Sequence, residues 1–231
     1  YAADIREEQF TASIGNIIPV INVVIQTRFN PYQDYKVFMI PALMVMVLTL
    51  LCGFLPALNI VGEKEVGTIE QMNVTPVSRL VFILSKLIPY WIIGFGVLTL
   101  CFLIAALLYG LQPTGSFAVI YMFAAIYVLV VFALGLVVSN YSATMQQAMF
   151  VVFFFILIFI IMSGLFTPVN SMPAWAQTIA RFNPLKYFME VMRAVYLKGS
   201  GVGELIPQLI ALCSFAIVFN GLAVLSYRKQ G

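Results

Sequence analysis

Histidine is absent from this sequence, and charged residues are scarce. Only 9% of the 231 residues are Asp, Glu, Lys or Arg, against about 25% in an average soluble domain. Without histidine the chain lacks the usual general base, the Ser/His and Cys/His nucleophile pairs and the commonest transition-metal ligand. Both catalysis within this chain and a soluble fold are therefore disfavoured.

Other sequence signals for cofactors and nucleic acids are also missing. The cysteines lie far apart in apolar stretches without a CxxC pair, so we interpret them as packing residues rather than a disulfide or metal site. The net charge of +3 is small, and no run of Lys and Arg suggests nucleic acid. No G-x-x-x-x-G-K-[ST] loop occurs. We expect this chain to bind no cofactor or metal.

Apolar residues make up 62% of the sequence, which predicts an all-α integral membrane protein. Charge-free runs of about 20 residues locate the spans, and turn-forming residues at 110–116 and 139–147 divide the longest run. The five predicted spans cover residues 38–60, 83–109, 117–138, 147–167 and 205–227. Lys86 is the one residue within them that is Asp, Glu, Lys or Arg, and we expect it to snorkel to the surface. Such spans disfavour an ion-coupled secondary transporter or a membrane-embedded enzyme.

The residues before the first span alternate apolar and polar over 21–29, which predicts a half-buried strand. We interpret this strand as the end of a folded extramembrane domain rather than a simple tether. The first residue is Tyr1, not methionine. We therefore expect the native protein to continue upstream with the rest of that domain and one further span.

The segment between the first two spans has helical periodicity. Val66, Ile69 and Met72 recur at intervals of three, and Pro76 ends the pattern, which predicts a short amphipathic helix beginning near Gly62. The spacing alone favours an interfacial linker without further function. Counting basic residues gives five on this side and seven on the other, so the residues alone leave the orientation open.

The segment before the last span predicts two short helices, one starting near Pro173 after a Ser171 cap and one at Asn183-Pro184. The second should end near Gly199, with its charged residues on one stripe where they can pair with each other: Lys186, Glu190 and Arg193. A hairpin dipping into the membrane and a helix lying flat on it both fit this pattern.

These two segments resemble a known family, the type-2 ABC transporter permeases. Residues 63–70, EKEVGTIE, followed by Thr75-Pro76, are similar to the family signature after its second span. The likeness continues in the segment before the family's last span, at residues 163–168 (SGLFTP), Ser171-Met172-Pro173, Asn183-Pro184, Tyr187 and Leu197-Lys198-Gly199. Bacterial multidrug-type permeases with a large extracytoplasmic domain between spans one and two are the most similar.

The resemblance implies a six-helix bundle of which five spans are visible, with residues 1–36 a remnant of an α/β extracytoplasmic domain and 37–231 the permease domain. It implies a bacterial inner-membrane protein with a cytoplasmic C-terminus. The implied partners are two ABC ATPase subunits, which bind ATP and Mg²⁺, a second permease copy or paralogue, and a periplasmic adaptor. The function is then the permease subunit of an ATP-driven exporter, forming the substrate pathway; a membrane scaffold without transport remains the alternative.

The resemblance also assigns roles to residues in both segments. A cytoplasmic coupling helix would contact the ATPase through Glu63, Lys64, Glu65, Val66, Gly67, Thr68, Ile69, Glu70, Thr75 and Pro76. A re-entrant hairpin at the outer side would contain Gly164, Pro168, Pro173, Asn183, Pro184, Tyr187, Glu190, Arg193 and Gly199. No catalytic residue is expected.

Overall fold

The computed structural model describes residues 35–67 and 79–226, all within one compact unit that covers 34–231. Regular structure in these residues is helical throughout. The seven α-helices are α1 Tyr35–Glu65, α2 Arg79–Tyr109, α3 Phe117–Tyr141, α4 Met145–Met162, α5 Ala174–Arg181, α6 Pro184–Arg193 and α7 Ile206–Ser226. The predicted strand at 21–29, residues 1–34 of the predicted extracytoplasmic remnant and residues 68–76 of the coupling segment lie outside the described residues.

Five of the described helices are long and apolar enough to cross a membrane, namely α1, α2, α3, α4 and α7. The predicted all-α membrane architecture is confirmed in this respect. The largest boundary differences are five residues: α1 ends at Glu65 rather than near 60, and α4 ends at Met162 rather than near 167. Ser163 Oγ donates to Ile160 O at 2.7 Å, and Gly164 adopts a left-handed φ of +85°, which ends the helix.

The central helix is α3. In the most apolar stretch of α3, 56% of the residues are buried, compared with 44% in α1 and 11–22% in α2, α4 and α7. It packs against all four of those helices and against α6. Its buried aromatic residues Phe123, Tyr127 and Phe132 fill the interior between them. The outward faces of α2, α4 and α7 remain apolar, as a lipid environment allows.

The spanning helices alternate in direction. Glu63, near the end of α1, pairs with Lys86 near the start of α2. At the same level, Asn140 near the end of α3 donates to Ser226 Oγ of α7 at 2.7 Å. The bundle thus has an end where α1, α3 and α7 finish, here called the α1 C-terminal end. The short helices α5 and α6 lie at the opposite, hairpin end.

Candidate functional site

The predicted coupling segment begins inside α1. Glu63, Lys64 and Glu65 form the last turn of this helix, so the expected separate helix starting near Gly62 is wrong for residues 62–67. Gly67 stops α1: its φ is +78° and its N–H donates to Lys64 O at 3.0 Å. Val66, beside it, is 80% exposed. Thr68, Ile69, Glu70, Thr75 and Pro76 lie outside the described residues.

Each charged residue of this last turn contacts a different helix. Glu63 pairs with Lys86 of α2, so the lysine expected to snorkel is held by a carboxylate. Lys64 Nζ donates to Ser139 O near the end of α3. Glu65 Oε1 accepts from Met145 N at 2.7 Å, at the start of α4. Cations favour helix C-termini and anions favour N-termini, so the Lys64 and Glu65 contacts match the dipoles of α3 and α4.

The hairpin end contains the two short helices that the sequence predicts. The N-cap of α5 is Pro173, whereas Ser171 ends a 3-10 turn at Val169–Ser171, so the expected Ser171 cap is wrong. Asn183 caps α6 as expected, with its Oδ1 accepting from Leu185 N at 3.0 Å. Its Nδ2 also donates to Phe159 O of α4 at 2.7 Å, which ties the hairpin to a spanning helix.

The charged stripe of α6 pairs only in part as expected. Lys186 and Glu190 lie 3.8 Å apart, and Glu190 also accepts from Gln208 Nε2 at 3.2 Å. The expected pairing of Arg193 within the stripe is wrong. Its guanidinium donates to Gly164 O at 3.0 Å and Leu165 O at 3.3 Å, because carbonyls beyond the end of α4 lack helical partners.

The same guanidinium lies over the ring of Phe38, 3.8 Å from its centroid, and so also contacts the first turn of α1. Burial between these groups lowers the pKa of the Arg193 guanidinium below its ordinary value. Arg193 thus joins α6, the end of α4 and the start of α1.

A π-helical turn at Ala194–Lys198 continues α6 and ends at Gly199, whose φ is +71°. Carbonyls in this turn accept hydrogen bonds from the loop after α2: Thr114 N donates to Tyr196 O and Gly115 N to Val195 O, both at 3.1 Å. A Cβ on Gly115 would lie 2.8 Å from Val195 O, so this close approach needs glycine. Sequence reasoning missed this junction.

Other predicted hairpin residues lie where helical turns begin or join α5 to α6. Pro168 precedes the 3-10 turn and Pro184 is the first residue of α6, where its missing N–H costs nothing. Tyr187 OH donates to Arg181 O at 3.0 Å. The coupling residues that the structure describes and the hairpin residues lie at opposite ends of the bundle. In the described parts of the chain, no group of three or more Cys, Asp or Glu side chains is placed to hold a metal ion.

Comparison with known proteins gives a consistent result. A family model described as ABC-2 family transporter protein matches residues 3–225. The chain is 29% identical over 208 residues to the probable multidrug ABC transporter permease YbhR of Escherichia coli K12, covering 90% of this chain and 56% of YbhR.

Two further relatives from the same organism also match. The chain is 28% identical over 216 residues to the probable multidrug ABC transporter permease YbhS, covering 92% of this chain and 56% of YbhS. It is 26% identical over 218 residues to the inner membrane transport permease YhhJ, covering 93% of this chain and 58% of YhhJ. The chain therefore spans a little over half the length of these relatives.

Proposed function

Because the chain belongs to the ABC-2 family of transporter proteins, we propose that it is the membrane permease subunit of an ATP-driven exporter and that it forms the substrate pathway. A separate ABC ATPase would bind at the coupling segment, residues 63–76, and supply ATP hydrolysis. In this proposal the α1 C-terminal end is cytoplasmic, the membrane is a bacterial inner membrane, and a second permease completes the pathway. A periplasmic adaptor would be a further partner at the hairpin end.

The observation that carries this proposal is the set of contacts made by the last turn of α1. Within three consecutive residues, Glu63 contacts α2, Lys64 contacts α3 and Glu65 contacts α4. The chain leaves this turn directly into the rest of the coupling segment. A force applied there by a partner would therefore act on four spanning helices together, which suits rigid-body gating driven from outside the membrane.

The hairpin end would form the outer gate as a re-entrant hairpin. Phe188 of α6 stacks on Tyr127 with ring centroids 4.5 Å apart. Tyr127 lies ten residues into α3, which corresponds to about 15 Å along the helix, or half of a hydrocarbon core of about 30 Å. Irregular backbone is tolerated at such depth when protein satisfies its polar groups. Asn183 Nδ2, Arg193 Nη1 and Tyr196 OH donate to the carbonyls of Phe159, Gly164 and Leu111, which satisfies these backbone groups, while Arg193 Nε is buried without a partner among the described residues.

The coupling assignment is tested by Val66→Asp, because Val66 is exposed and its substitution leaves the helix contacts intact. We expect lower co-purification of the ATPase and lower transport-linked ATP hydrolysis at matched membrane expression, since a carboxylate removes an apolar contact. Ile69→Asp should act in the same way, and Glu70→Lys should weaken binding in a salt-dependent manner.

Val202→Asp is the matched control, because Val202 is an exposed valine near the start of α7, at the opposite end of the bundle. It should leave ATPase binding unchanged. If Val66→Asp, Ile69→Asp and Glu70→Lys all bind and activate the ATPase like the wild type, the coupling assignment is wrong and the scaffold interpretation is favoured.

A further inference from the structure

The loop between α2 and α3 and the turn that follows α6 are bonded to each other in both directions. Residues 111–115 of the loop and residues 195–199 of the turn are here called the clasp. Besides the two backbone hydrogen bonds described above, Thr114 Oγ1 donates to Tyr196 O at 3.0 Å, and Tyr196 OH donates to Leu111 O at 3.0 Å. The clasp therefore fastens the hairpin to the connection between two spanning helices.

The backbone on both sides of the clasp is unusual. π-helical turns are rare and occur frequently at functional sites, and the one at Ala194–Lys198 presents two carbonyls to the loop. On the loop side, Gly115 allows an approach so close that an added Cβ would lie 2.8 Å from Val195 O. One added methyl group should therefore open the clasp without touching the coupling segment.

The clasp is easier to open than the other polar contacts of α6. Thr114 is exposed, so water can replace the partners of its donors when the loop moves away. Asn183, which bonds α6 to α4, is 2% exposed, and Arg193 contacts α4 carbonyls and the first turn of α1. Polar groups that lose a partner in such surroundings are costly. We therefore expect α6 to stay with α1 and α4 when the clasp opens.

Helix α2 leads from the coupling segment to the clasp. It follows that segment in the chain, and its other end continues into residues 111–115. It packs mainly against α1 and α3, and only 22% of its most apolar stretch is buried, so few contacts hold it in place. Phe102 of α2 also stacks on Tyr196, with ring centroids 6.2 Å apart. A movement of α2 that begins at the coupling segment would thus reach the clasp directly.

We propose that the clasp keeps the outer gate closed and that it opens when α2 moves in response to the ATPase. The opening then forms between α6, which stays with α1 and α4, and the outer ends of α2 and α3. This inference rests on the proposed function, because it states how the gate in that proposal is held and released.

A cysteine at Val195 reports whether the clasp is closed, because Val195 is 0% exposed and contacts Gly115. After replacement of the native cysteines, its reaction with a maleimide is measured for the permease in nanodiscs without ATPase. Adding Gly115→Ala should speed this reaction by about tenfold, as the loss of one or two hydrogen bonds allows. Gly203→Ala is the matched control, because an added Cβ there meets no described atom within 4 Å. Equal rates in the two glycine variants would overturn the proposal.

A disulfide across the clasp tests whether it opens during the ATPase cycle. Thr114→Cys and Gly199→Cys suit this test, because a Cβ at Gly199 would lie 3.5 Å from Thr114 Oγ1. The positive φ of Gly199 strains any side chain there, so the reduced form of the same double variant is the control.

We expect the disulfide to form in the resting protein and to leave ATPase binding unchanged. It should lower transport-linked ATP hydrolysis by about tenfold, within the usual range of coupling between distant sites, and dithiothreitol should restore the rate. A clasp with a structural role alone would not need to open, so equal hydrolysis by the oxidised and reduced forms would overturn the proposal. Failure of the disulfide to form in the resting protein would also overturn it.

The two experiments separate this inference from the proposed function. Labelling of the Val195 cysteine needs no ATPase, so it tests the clasp even if the coupling assignment fails. If Val66→Asp abolishes ATPase binding as expected but the disulfide leaves ATP hydrolysis unchanged, the proposed function stands and the role of the clasp is wrong. If Gly115→Ala exposes the Val195 cysteine and Val66→Asp has no effect on the ATPase, the clasp stands as the closure of the hairpin end and the coupling assignment fails.

Discussion

Thr49 and Tyr127 are buried side by side between α1 and α3, and their hydroxyl oxygens lie 2.8 Å apart. The Thr49 hydroxyl also donates to Val45 O at 2.6 Å, so Tyr127 is the donor of the bond between the side chains. Removing the Thr49 hydroxyl would leave the Tyr127 hydroxyl without its acceptor, whereas removing the Tyr127 hydroxyl would leave Thr49 bonded to Val45 O. This makes the pair a test of how buried polar groups contribute to stability in an apolar bundle.

We expect Thr49→Val to cost more stability than Tyr127→Phe. The threonine variant leaves the Tyr127 hydroxyl buried without a partner among the described residues, at about 1–3 kcal/mol. The phenylalanine variant leaves Thr49 bonded to Val45 O and removes one hydrogen bond, worth about 0.5–1 kcal/mol inside a membrane protein. Thermal unfolding of both variants in nanodiscs measures the difference. A larger loss for Tyr127→Phe would contradict this account.

The sequence predicts least well which group each charged side chain pairs with or donates to. Lys186 and Glu190 pair as expected because their spacing of four is a local helical property. Arg193 also lies on that stripe, yet it bonds to carbonyls 28 and 29 residues away. Lys64 likewise reaches a carbonyl 75 residues away. Such choices depend on which helices become neighbours, and no local spacing specifies that.

At the scale of elements, the apolar pattern predicts the spanning helices well, since the bilayer fixes their length and demands internal hydrogen bonding. The pattern is less informative where a helix ends. Glu63–Glu65 extend α1 because each finds a partner on a neighbouring helix. The π-helical turn after Arg193 lies beside the loop at Thr114 and Gly115, whose backbone N–H groups donate to carbonyls of the turn. Both features depend on tertiary contacts.

The hairpin gives a test of its placement that uses two neighbouring alanines of α5. Ala174 is exposed and Ala176 is 3% exposed. If α5 lies at the outer side, a cysteine at Ala174 should react with an impermeant maleimide added outside intact cells, whereas a cysteine at Ala176 should not. Ala194 is half-buried, and a cysteine there should react more slowly from the same side.

Labelling after denaturation is the control that every introduced cysteine is present. The native cysteines Cys52, Cys101 and Cys213 are removed first, because each is a free thiol. Reaction of the Ala174 cysteine only from the cytoplasmic side would contradict the outer placement and the orientation that the resemblance implies.

At the scale of the whole molecule, the predicted family is confirmed by a match that covers residues 3–225. The described part of the coupling segment, residues 63–67, and the hairpin lie at opposite ends of one bundle, and α1 connects them. Phe38 at its start contacts Arg193 of the hairpin, and Lys64 at its end contacts the central helix α3. At 31 residues and about 1.5 Å per residue, α1 extends over about 46 Å. It is therefore suited to transmit movement from one end to the other.

Variants of Lys64 can distinguish the transmission of movement through the bundle from the binding of the ATPase. The Lys64 side chain donates to Ser139 O of α3 and so does not extend away from the bundle. We expect Lys64→Met to retain ATPase binding but to lower transport by about 2- to 30-fold, corresponding to a coupling change of about 0.5–2 kcal/mol. Lys64→Arg keeps a charged donor near the end of α3 and should transport at close to the wild-type rate. Co-purification and transport are measured on the same membrane preparations.

Val66→Asp should instead lose ATPase binding, so the two variants distinguish the roles of neighbouring residues. Loss of ATPase binding in Lys64→Met would make Lys64 a docking residue, and unchanged transport would remove it from the path between the ATPase and α3.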